Sequence, residues 1–229
     1  MRICSIILAR GGSKGLPNKN ILEFSGKPLL AWTIEHCIDA GINDVYVSSD
    51  CNQILNSARE YGAKKILRPH DLSGDHASAE SGWLHALSEI ETQQGCVDWV
   101  LAPQVTSPLR EPSDIKQGLE VLSTNNFDSL FSCSIVEDLF MWEKQQSGCY
   151  QSINYNWENR QRRQDNKQQV VENGSFYFFK PNDFRKHNNR LSGRIGTVEM
   201  EFWKMFEIDS LQDFRMCSSL MNEFLVNKK

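Results

Sequence analysis

The residues best suited to chemistry form a glycine-rich, basic stretch near the start of the chain, residues 9–20. Its sequence is ARGGSKGLPNKN. The three glycines allow backbone N–H groups to converge on an anion, and Arg10, Lys14 and Lys19 add fixed positive charge. This combination predicts a cradle for a polyphosphate. The stretch matches neither the GxxxxGK[ST] loop nor the GxGxxG fingerprint, which argues against P-loop NTPases and typical dinucleotide enzymes.

A second group of residues, near the other end of the chain, has the chemistry to bind a cation. Glu207 and Asp209 are two positions apart, and in a strand such residues point to the same side. Their oxygens suit Mg²⁺ that is bound jointly with phosphate oxygens. Two alternatives stay open at this point. Glu207 could act only through a neighbouring group, and Asp209 could simply complement the N-terminus of the following helix.

These groups need a scaffold, and the sequence predicts one in which strands and helices alternate. Strands are predicted at residues 3–8, 45–49, 65–68, 99–102, 129–134 and 170–179. Helices are predicted at residues 28–40, 52–61, 78–91 and 113–122, with Ser113 as N-cap, and after Asp209, with Ser210 and Asp213 as a capping pair. This alternation favours right-handed crossovers and a three-layer α/β/α, Rossmann-like fold with a mainly parallel sheet. Ligands of such sheets bind beyond the carboxyl ends of the strands.

Residues 137–169 differ in composition from the rest of the chain. Glutamine, asparagine and arginine crowd together there, with the aromatic residues Trp142, Tyr150, Tyr155 and Trp157 placed singly among them. Such a segment is either a mobile polar excursion or an extended arm that packs on a partner subunit, since interfaces favour aromatic residues and arginine. We therefore divide the chain into a discontinuous core, residues 1–136 and 170–229, and a polar insertion that is interpreted as a dimerisation arm.

Composition limits the classes of protein that this sequence can form. The chain has 229 residues, of which 40% are hydrophobic and 24% are charged, as in an ordinary globular domain. No run approaches the roughly 20 apolar residues that cross a bilayer, so we expect no membrane segment and no signal peptide. The formal net charge of -4 argues against nucleic-acid binding. Seven scattered cysteines without a CxxC pair predict reduced thiols and a cytoplasmic protein.

Four segments of the chain resemble the acylneuraminate cytidylyltransferase family, the CMP-sialic acid synthetases. They are residues 9–20; residues 67–69 with 75–81 (LRP and DHASAES); residues 104–110 (QVTSPLR); and residues 163–164 with 173–177 (RQ and NGSFY). The resemblance extends over nearly the whole chain. The related CMP-Kdo synthetases look different in the first segment, because they typically lack Gly-Gly-Ser-Lys-Gly.

The resemblance implies a set of site residues. Around the triphosphate it implies Arg10, Ser13, Lys14, Lys19 and Asn20. Bordering the nucleotide it implies Arg68, Ser78 and Ser81, and for the rest of the substrate it implies Gln104, Ser107, Arg163, Gln164, Asn173 and Tyr177. The catalytic group consists of Arg10, Lys14, Lys19 and Asp209, with Asp209 and Glu207 as the metal ligands.

Several of these residues have other interpretations. Ser78 could be the N-cap of the next helix, which is compatible with a binding role nearby. Arg163 could grip the carboxylate of the sugar, but Arg162 stands beside it, and with Arg160 the three could form a solvated charge cluster. The sequence departs from the family pattern at three places. Val105 replaces a proline, residues 165–167 replace the usual Leu-Pro, and Glu207 replaces an aspartate.

The activity implied by the resemblance is the reaction of CTP with a nonulosonic acid, which gives a CMP-sugar and pyrophosphate with Mg²⁺ as cofactor. The implied fold is of the nucleotide-diphospho-sugar transferase type, and the implied assembly is a homodimer. No residue is assigned as general base.

Other functions remain open at this stage. The same chemistry could serve a bacterial sialic-acid analogue such as legionaminic acid. The departures from the family pattern also allow a nucleotide-binding regulator without activity. A nicotinamide-dependent dehydrogenase is suggested only by the order of strands and helices, and the absence of GxGxxG after the first strand argues against it.

Overall fold

The computed structural model describes residues 1–137, 139–165 and 168–226, and Arg163 without its side chain. The strands in this part of the chain are β1 (Ile3–Leu8), β2 (Glu23–Phe24), β3 (Lys27–Pro28), β4 (Asp44–Ser49), β5 (Lys64–Leu67), β6 (Trp99–Pro103), β7 (Ser129–Val136), β8 (Trp142–Lys144), β9 (Tyr150–Ser152), β10 (Gln169–Phe179) and β11 (Ile195–Glu199). The α-helices are α1 (Leu29–Asp39), α2 (Asn52–Glu60), α3 (Ala79–Gln94), α4 (Pro112–Thr124), α5 (Pro181–His187) and α6 (Leu211–Met221).

A seven-stranded sheet forms the centre of the molecule, with the spatial order β11-β7-β10-β6-β1-β4-β5. Strand β10 runs antiparallel to both of its neighbours, and the other pairs in the sheet are parallel. Strand β1 lies between β4 and β6, so the chain moves to opposite sides of β1 as it continues. Such a switch point opens a crevice at the carboxyl ends of the strands. The predicted mainly parallel sheet is confirmed.

Helices cover both faces of this sheet. On one face, helices α1, α2, α4 and α6 contribute to a core that includes Leu30, Ile54, Ile115 and Met221. On the other face, α3 and α5 pack on the sheet through residues such as Leu87 and Phe184. The three-layer α/β/α architecture is therefore confirmed. Within the described residues, no helix has both the length and the apolar character that crossing a membrane requires.

Most predicted elements agree with the structure to within a few residues, but one predicted cap is wrong. Helix α4 is capped by Glu111 rather than by Ser113, and the side chain of Asp114 accepts a hydrogen bond from the Glu111 backbone N–H at 2.7 Å. The reason is Pro112, whose fixed φ and missing N–H suit the first position of a helix. The capping pair predicted for α6, Ser210 with Asp213, is confirmed.

The run predicted as one strand with a turn signal inside is a single long strand, β10, that carries a bulge. Its register against β7 shifts between Glu172 and Tyr177, and Gly174 has a φ of 69° within that interval. Two elements were not predicted from the sequence. Strand β11 forms one edge of the sheet, and helix α5 packs on one of its faces.

The polar insertion contains a small antiparallel hairpin of its own, β8 with β9. Its aromatic side chains contact one another: the Trp142 and Trp157 rings lie 6.4 Å apart, and Phe140 and Tyr155 lie 4.4 Å apart. Asn154 ties the hairpin together by accepting from the Met141 N–H and donating to the Leu139 carbonyl. The described part of the insertion adds no strand to the central sheet, and its treatment as a separate unit stays a prediction.

Candidate functional site

The basic loop of residues 9–20 leaves β1 at the switch point and is held there by partly buried hydrogen bonds. Asn20 is buried, and its side-chain amide donates to the Arg10 carbonyl at 2.9 Å. Asp50, at the end of β4, accepts from the Gly11 N–H at 2.9 Å. Asn18 adopts a left-handed conformation, with a φ of 54°. These contacts fix the backbone of the loop before any ligand binds.

Lys19 and Asp209 come from opposite ends of the chain and meet in the crevice. The Lys19 ammonium donates to the Asp209 carboxylate and to the Ile208 carbonyl, both at 2.8 Å. The Asp209 side chain is 74% exposed, whereas that of Lys19 is 14% exposed. The loop approaches so closely that a Cβ at Gly15 would lie 2.2 Å from the Asp209 carbonyl oxygen. The two sequence groups that were predicted to cooperate are therefore neighbours.

The other two loop cations turn toward Asp75. Lys14 Nζ lies 2.6 Å from one of its carboxylate oxygens, and Arg10 Nη1 lies 3.2 Å from the other. The hydrogen bond from Lys14, together with the charges of Lys14 and Arg10, lowers the pKa of Asp75. The three loop cations thus face solvent-accessible carboxylates on both sides of the loop. Ser13, which lies in the same loop, is partly buried.

A cavity of about 330 Å³ opens beside this loop and is lined in part by Arg10, Arg68 and Ser78. Arg68 is buried, and burial lowers the pKa of its guanidinium. Its Nε has no hydrogen-bond partner among the described residues. Ser78 accepts from the Ser81 N–H at 3.2 Å, so its alternative role as the N-cap of α3 is confirmed, and the Ser81 hydroxyl donates to the Ser78 carbonyl.

The loop that follows β6 is held rigid by a buried arginine. Arg110 is fully buried and donates to the carbonyls of Gln104, Ser107 and Ser175, each at 3.0 Å. Burial lowers the pKa of Arg110 to about 10. Ser107 is also fully buried, whereas the Gln104 side chain lines a second cavity of about 160 Å³. Sequence analysis gave Arg110 no role, although the motif that contains it was recognised.

Glu207 and Asp209 differ in environment, and the segment that carries them is not a strand. The Ile208 N–H donates to the Thr106 carbonyl at 2.8 Å, which attaches the segment to the loop after β6. Glu207 is half-buried and accepts from the Thr106 hydroxyl at 3.3 Å. Burial, and secondarily the Asp209 charge, raises the pKa of Glu207. A Cβ at Gly174 would lie 2.1 Å from a Glu207 carboxylate oxygen, so the bulge in β10 makes room for this acid.

Asn173 and Tyr177, which were predicted to contact substrate, form hydrogen bonds with other residues of the protein. Asn173 is buried and accepts from the Ser132 hydroxyl at 2.6 Å. The Tyr177 hydroxyl donates to Glu172 at 2.6 Å, and burial, followed by this hydrogen bond, raises the pKa of Tyr177 to about 12. Their binding roles stay predictions, since both side chains support the wall of the crevice in this arrangement.

The structure brings together most, but not all, of the predicted residues. Arg163 and Gln164 lie in a 3-10 turn of the insertion, Arg163–Asp165, and the Arg163 side chain lies outside the described part of the chain. No described contact joins Gln164 to the loop of residues 9–20. Residues that sequence analysis missed include Asp50, Asp75 and Thr106. The signal for Asp50 was its position directly after a strand, where the crevice of such a sheet lies.

The carboxylate oxygens of Asp209 suit a hard cation that takes its other ligands from phosphate oxygens. Among the described residues, no group of three or more His, Cys, Asp or Glu side chains could hold a metal ion. The exposed carboxylate of Asp209 lies 2.8 Å from the ammonium of Lys19, one of the three cations of the loop. Mg²⁺ commonly takes one or two carboxylates and completes its coordination with substrate phosphates and water. The Asp209 carboxylate therefore fits a Mg²⁺ ion that takes its remaining ligands from phosphate and water.

A family model described as cytidylyltransferase matches residues 4–227. The chain belongs to the cytidylyltransferase family. Among curated relatives, it is 37% identical over 182 residues to N-acylneuraminate cytidylyltransferase A of Danio rerio, a match that covers 78% of this chain and 41% of the relative. It is 34% identical over 185 residues to the pseudaminic acid cytidylyltransferase of Campylobacter jejuni, with 78% of each covered. The chain spans less than half the length of the Danio rerio relative.

Solved structures agree on the fold. A CMP:2-keto-3-deoxy-manno-octonic acid synthetase complexed with CTP superimposes with a TM-score of 0.73 at 17% identity, covering 98% of this chain and all of that one. The 4-diphosphocytidyl-2C-methyl-D-erythritol synthase of Anaerococcus prevotii gives a TM-score of 0.68 at 12% identity, covering 96% of this chain and 98% of that one. These similarities show that the chain shares its fold with both structures.

Proposed function

We propose that this cytidylyltransferase reacts CTP with an N-acylneuraminate, a nonulosonic acid, to give the CMP-sugar and pyrophosphate. The observation that carries the proposal is the meeting of Lys19 with Asp209 at the mouth of the crevice. This contact sets a cation of the polyphosphate loop beside a carboxylate suited to a divalent metal. The similarity to N-acylneuraminate cytidylyltransferases supports the choice of substrates.

The loop and the adjacent cavity divide the binding of CTP between them. Arg10, Lys14 and Lys19 neutralise the triphosphate, and in binding it Arg10 and Lys14 exchange their contacts with Asp75 for phosphate oxygens. The cavity beside Arg68 receives the nucleoside, and the unpartnered Nε of that buried guanidinium gains an acceptor there. Ser78 stands at the N-terminus of α3, on the wall of the same cavity.

The reaction needs little covalent chemistry from the protein. The anomeric hydroxyl of the sugar acid attacks the α-phosphorus in line, its proton leaves, and pyrophosphate departs. Negative charge grows on the phosphoryl oxygens and on the leaving group, so positioning and electrostatic stabilisation are the main requirements. Lys14, Lys19 and Arg10 supply positive charge at fixed positions. Gln104, whose amide both donates and accepts, lines the second cavity, where it orients the hydroxyl groups of the acceptor.

Asp209, with Glu207 beside it, would hold Mg²⁺, which supplies further charge neutralisation when bound. Asp209 offers exposed oxygens for direct ligation. Glu207 is half-buried against Thr106, and this position suits a group that orients the ion through water. The Lys19 ammonium donates to the Asp209 carboxylate and so orients it.

We further propose that two copies of the chain form a homodimer through the insertion. Exposed apolar side chains are concentrated there, including Met141, Trp142, Tyr150, Ile153 and Trp157. An apolar groove of about 590 Å³ adjoins them and is lined by residues such as Ile135, Leu139 and Phe202. Contiguous exposed apolar surface of this kind marks interaction sites.

We expect the enzyme to work in the cytoplasm, where its seven free thiols would stay reduced.

An assay of pyrophosphate release tests the proposed function. The full chain is incubated with Mg²⁺, with CTP, UTP or ATP, and with a panel of nine-carbon and eight-carbon sugar acids. We expect release that depends on CTP and on a nine-carbon acid. A chain that binds CTP but releases no pyrophosphate with any acid would instead be a nucleotide-binding regulator.

One second candidate is favoured by a specific observation. The Campylobacter jejuni relative is a pseudaminic acid cytidylyltransferase, and it is matched over 78% of its length. The same site would then act on a deoxy, acylamino-substituted acceptor. The same assay separates the two candidates by their kcat/KM values.

A further inference from the structure

Asp75 pairs with two of the three cations of the basic loop. One of its carboxylate oxygens lies 2.6 Å from Lys14 Nζ, and the other lies 3.2 Å from Arg10 Nη1. Both cations are assigned to the triphosphate in the proposed function. Carboxylate and phosphate oxygens accept hydrogen bonds from the same donors, so Asp75 and a bound polyphosphate compete for these two side chains.

Asp75 also lines the cavity that is proposed to receive the nucleoside, together with Arg10 and Arg68. Its position is set by the turn that precedes α3, in which the Ala77 N–H donates to the Gly74 carbonyl at 3.1 Å. This hydrogen bond does not involve the basic loop. It therefore keeps Asp75 beside the cavity when Arg10 and Lys14 change partners.

The two ion pairs of Asp75 are exposed and therefore weak. The side chains of Lys14, Asp75 and Arg10 are 73%, 46% and 37% exposed. An exposed ion pair holds its partners together by a factor of about five at most. The hydrogen bond from Lys14 lowers the pKa of Asp75, so the carboxylate is charged at neutral pH. A triphosphate can displace this carboxylate, but its binding must overcome both contacts.

From this arrangement we infer that Asp75 is an internal competitor of the polyphosphate groups that bind to Arg10 and Lys14. The inference deepens the proposed function and rests on one part of it, the binding of the triphosphate by the basic loop. Asp75 weakens the binding of CTP, and it pairs again with Arg10 and Lys14 as pyrophosphate leaves. The same contacts therefore weaken substrate binding and speed product release.

Other roles of the Asp75 carboxylate predict the opposite sign. A carboxylate that binds Mg²⁺, or one that accepts a hydrogen bond from the ribose, contributes to the binding of CTP, so its removal weakens binding. Removal of a competitor strengthens binding. The direction of the change in affinity therefore distinguishes competition from these roles.

Calorimetric titration of the full chain with CTP, and separately with inorganic pyrophosphate, measures binding in the presence of Mg²⁺ and without a sugar acid. In Asp75→Asn we expect both Kd values to fall about threefold to tenfold, because two exposed ion pairs no longer oppose binding. The matched control is Asp71→Asn, which removes the same charge from an exposed position in the 3-10 turn His70–Leu72. It should change both Kd values by less than about twofold, because salt screens exposed charges beyond direct contact.

A double variant tests whether the effect passes through the loop cations. In Lys14→Ala, where one of the two ion pairs is already absent, Asp75→Asn should strengthen pyrophosphate binding by a smaller factor than in the unaltered chain. In the full reaction, Asp75→Asn should lower the KM for CTP and strengthen inhibition by pyrophosphate.

Three outcomes decide between the inference and the proposed function. Unchanged or weaker binding of pyrophosphate in Asp75→Asn, or an equal gain in Asp71→Asn, would overturn the inference and leave the proposed function in place. The expected gain in a chain that releases no pyrophosphate with any sugar acid would support the inference and refute the proposed reaction. No binding of CTP or pyrophosphate by the unaltered chain would overturn both.

Discussion

The crevice and the insertion differ in how their key side chains are held. In the crevice, Arg110 has no exposed surface and donates to three carbonyls from two different segments. In the insertion, Trp142 and Trp157 contact each other but remain 43% and 56% exposed. The key arginine of the crevice is thus enclosed by its own chain, whereas the described residues leave these aromatic side chains of the insertion partly uncovered. The proposed catalytic site therefore consists of enclosed side chains, and the proposed dimer interface consists of exposed ones.

The largest expected effect concerns Arg110. In Arg110→Met, the carbonyls of Gln104, Ser107 and Ser175 lose a buried donor, so the free energy of unfolding should fall by about 3–5 kcal/mol. Urea denaturation measures this loss. In the insertion, Arg162→Ala removes an exposed arginine that pairs with Asp165 and should change stability by less than about 0.5 kcal/mol. Similar losses in both variants would contradict the contrast between the two regions.

The second prediction tests the chemistry of the crevice. Asp209→Ala and Lys19→Ala should each lower kcat for pyrophosphate release about 10²–10³-fold, which corresponds to about 2.7–4 kcal/mol. Each removes charge or metal-binding capacity where negative charge develops. Lys65→Ala, on the edge strand β5, is the control and should keep full activity. Near-normal turnover in Asp209→Ala would remove that carboxylate from the mechanism.

A third, smaller effect belongs to the insertion. If two chains associate there, Trp157→Ala should weaken association by about 2 kcal/mol, roughly thirtyfold, because buried aromatic residues dominate interface energies. Sedimentation at several concentrations measures the change. Leu67→Ala removes an apolar side chain that is 64% exposed elsewhere and should have no effect. An unaltered chain that stays monomeric and fully active at all concentrations would refute the dimer.

The smallest expected effect concerns the Asp44–Lys64 ion pair, which lies outside both regions and shows how much an exposed ion pair contributes to stability. The hydrogen bond from Lys64 lowers the pKa of Asp44 below its ordinary value of 3.8. The stabilisation is therefore present above pH 3.8 and is lost as the pH falls through the lowered pKa. Asp44→Asn should cost about 0.2–1 kcal/mol at pH 7, and this cost should decrease progressively below pH 3.8.

Unfolding measurements at pH 7 and at pH 3 would show this difference. Asp39→Asn, at an exposed position on α1, should change stability equally little at both pH values. An equal cost of Asp44→Asn at both values would mean that the ion pair with Lys64 contributes nothing.

Local patterns in the sequence were sufficient to predict three features: the basic loop, the alternation of strands and helices, and the helix cap formed by Ser210 with Asp213. Each depends on residues within a few positions of one another, where backbone geometry and hydrogen-bonding capacity decide the outcome. The Ser113 cap failed for the same local reason, because Pro112 at the first helical position shifted the start of α4.

The sequence by itself determined which side chains are available for phosphate and metal chemistry and which segments form the sheet. The tertiary structure alone decided that Lys19 meets Asp209, 190 residues away, and that Arg110 is buried under three carbonyls. It also decided that Tyr177 is engaged by Glu172 and covered by Arg190. Contacts between distant segments follow from how the helices pack on the sheet and where a bulge redirects a strand, and no spacing of residues along the chain encodes those distances.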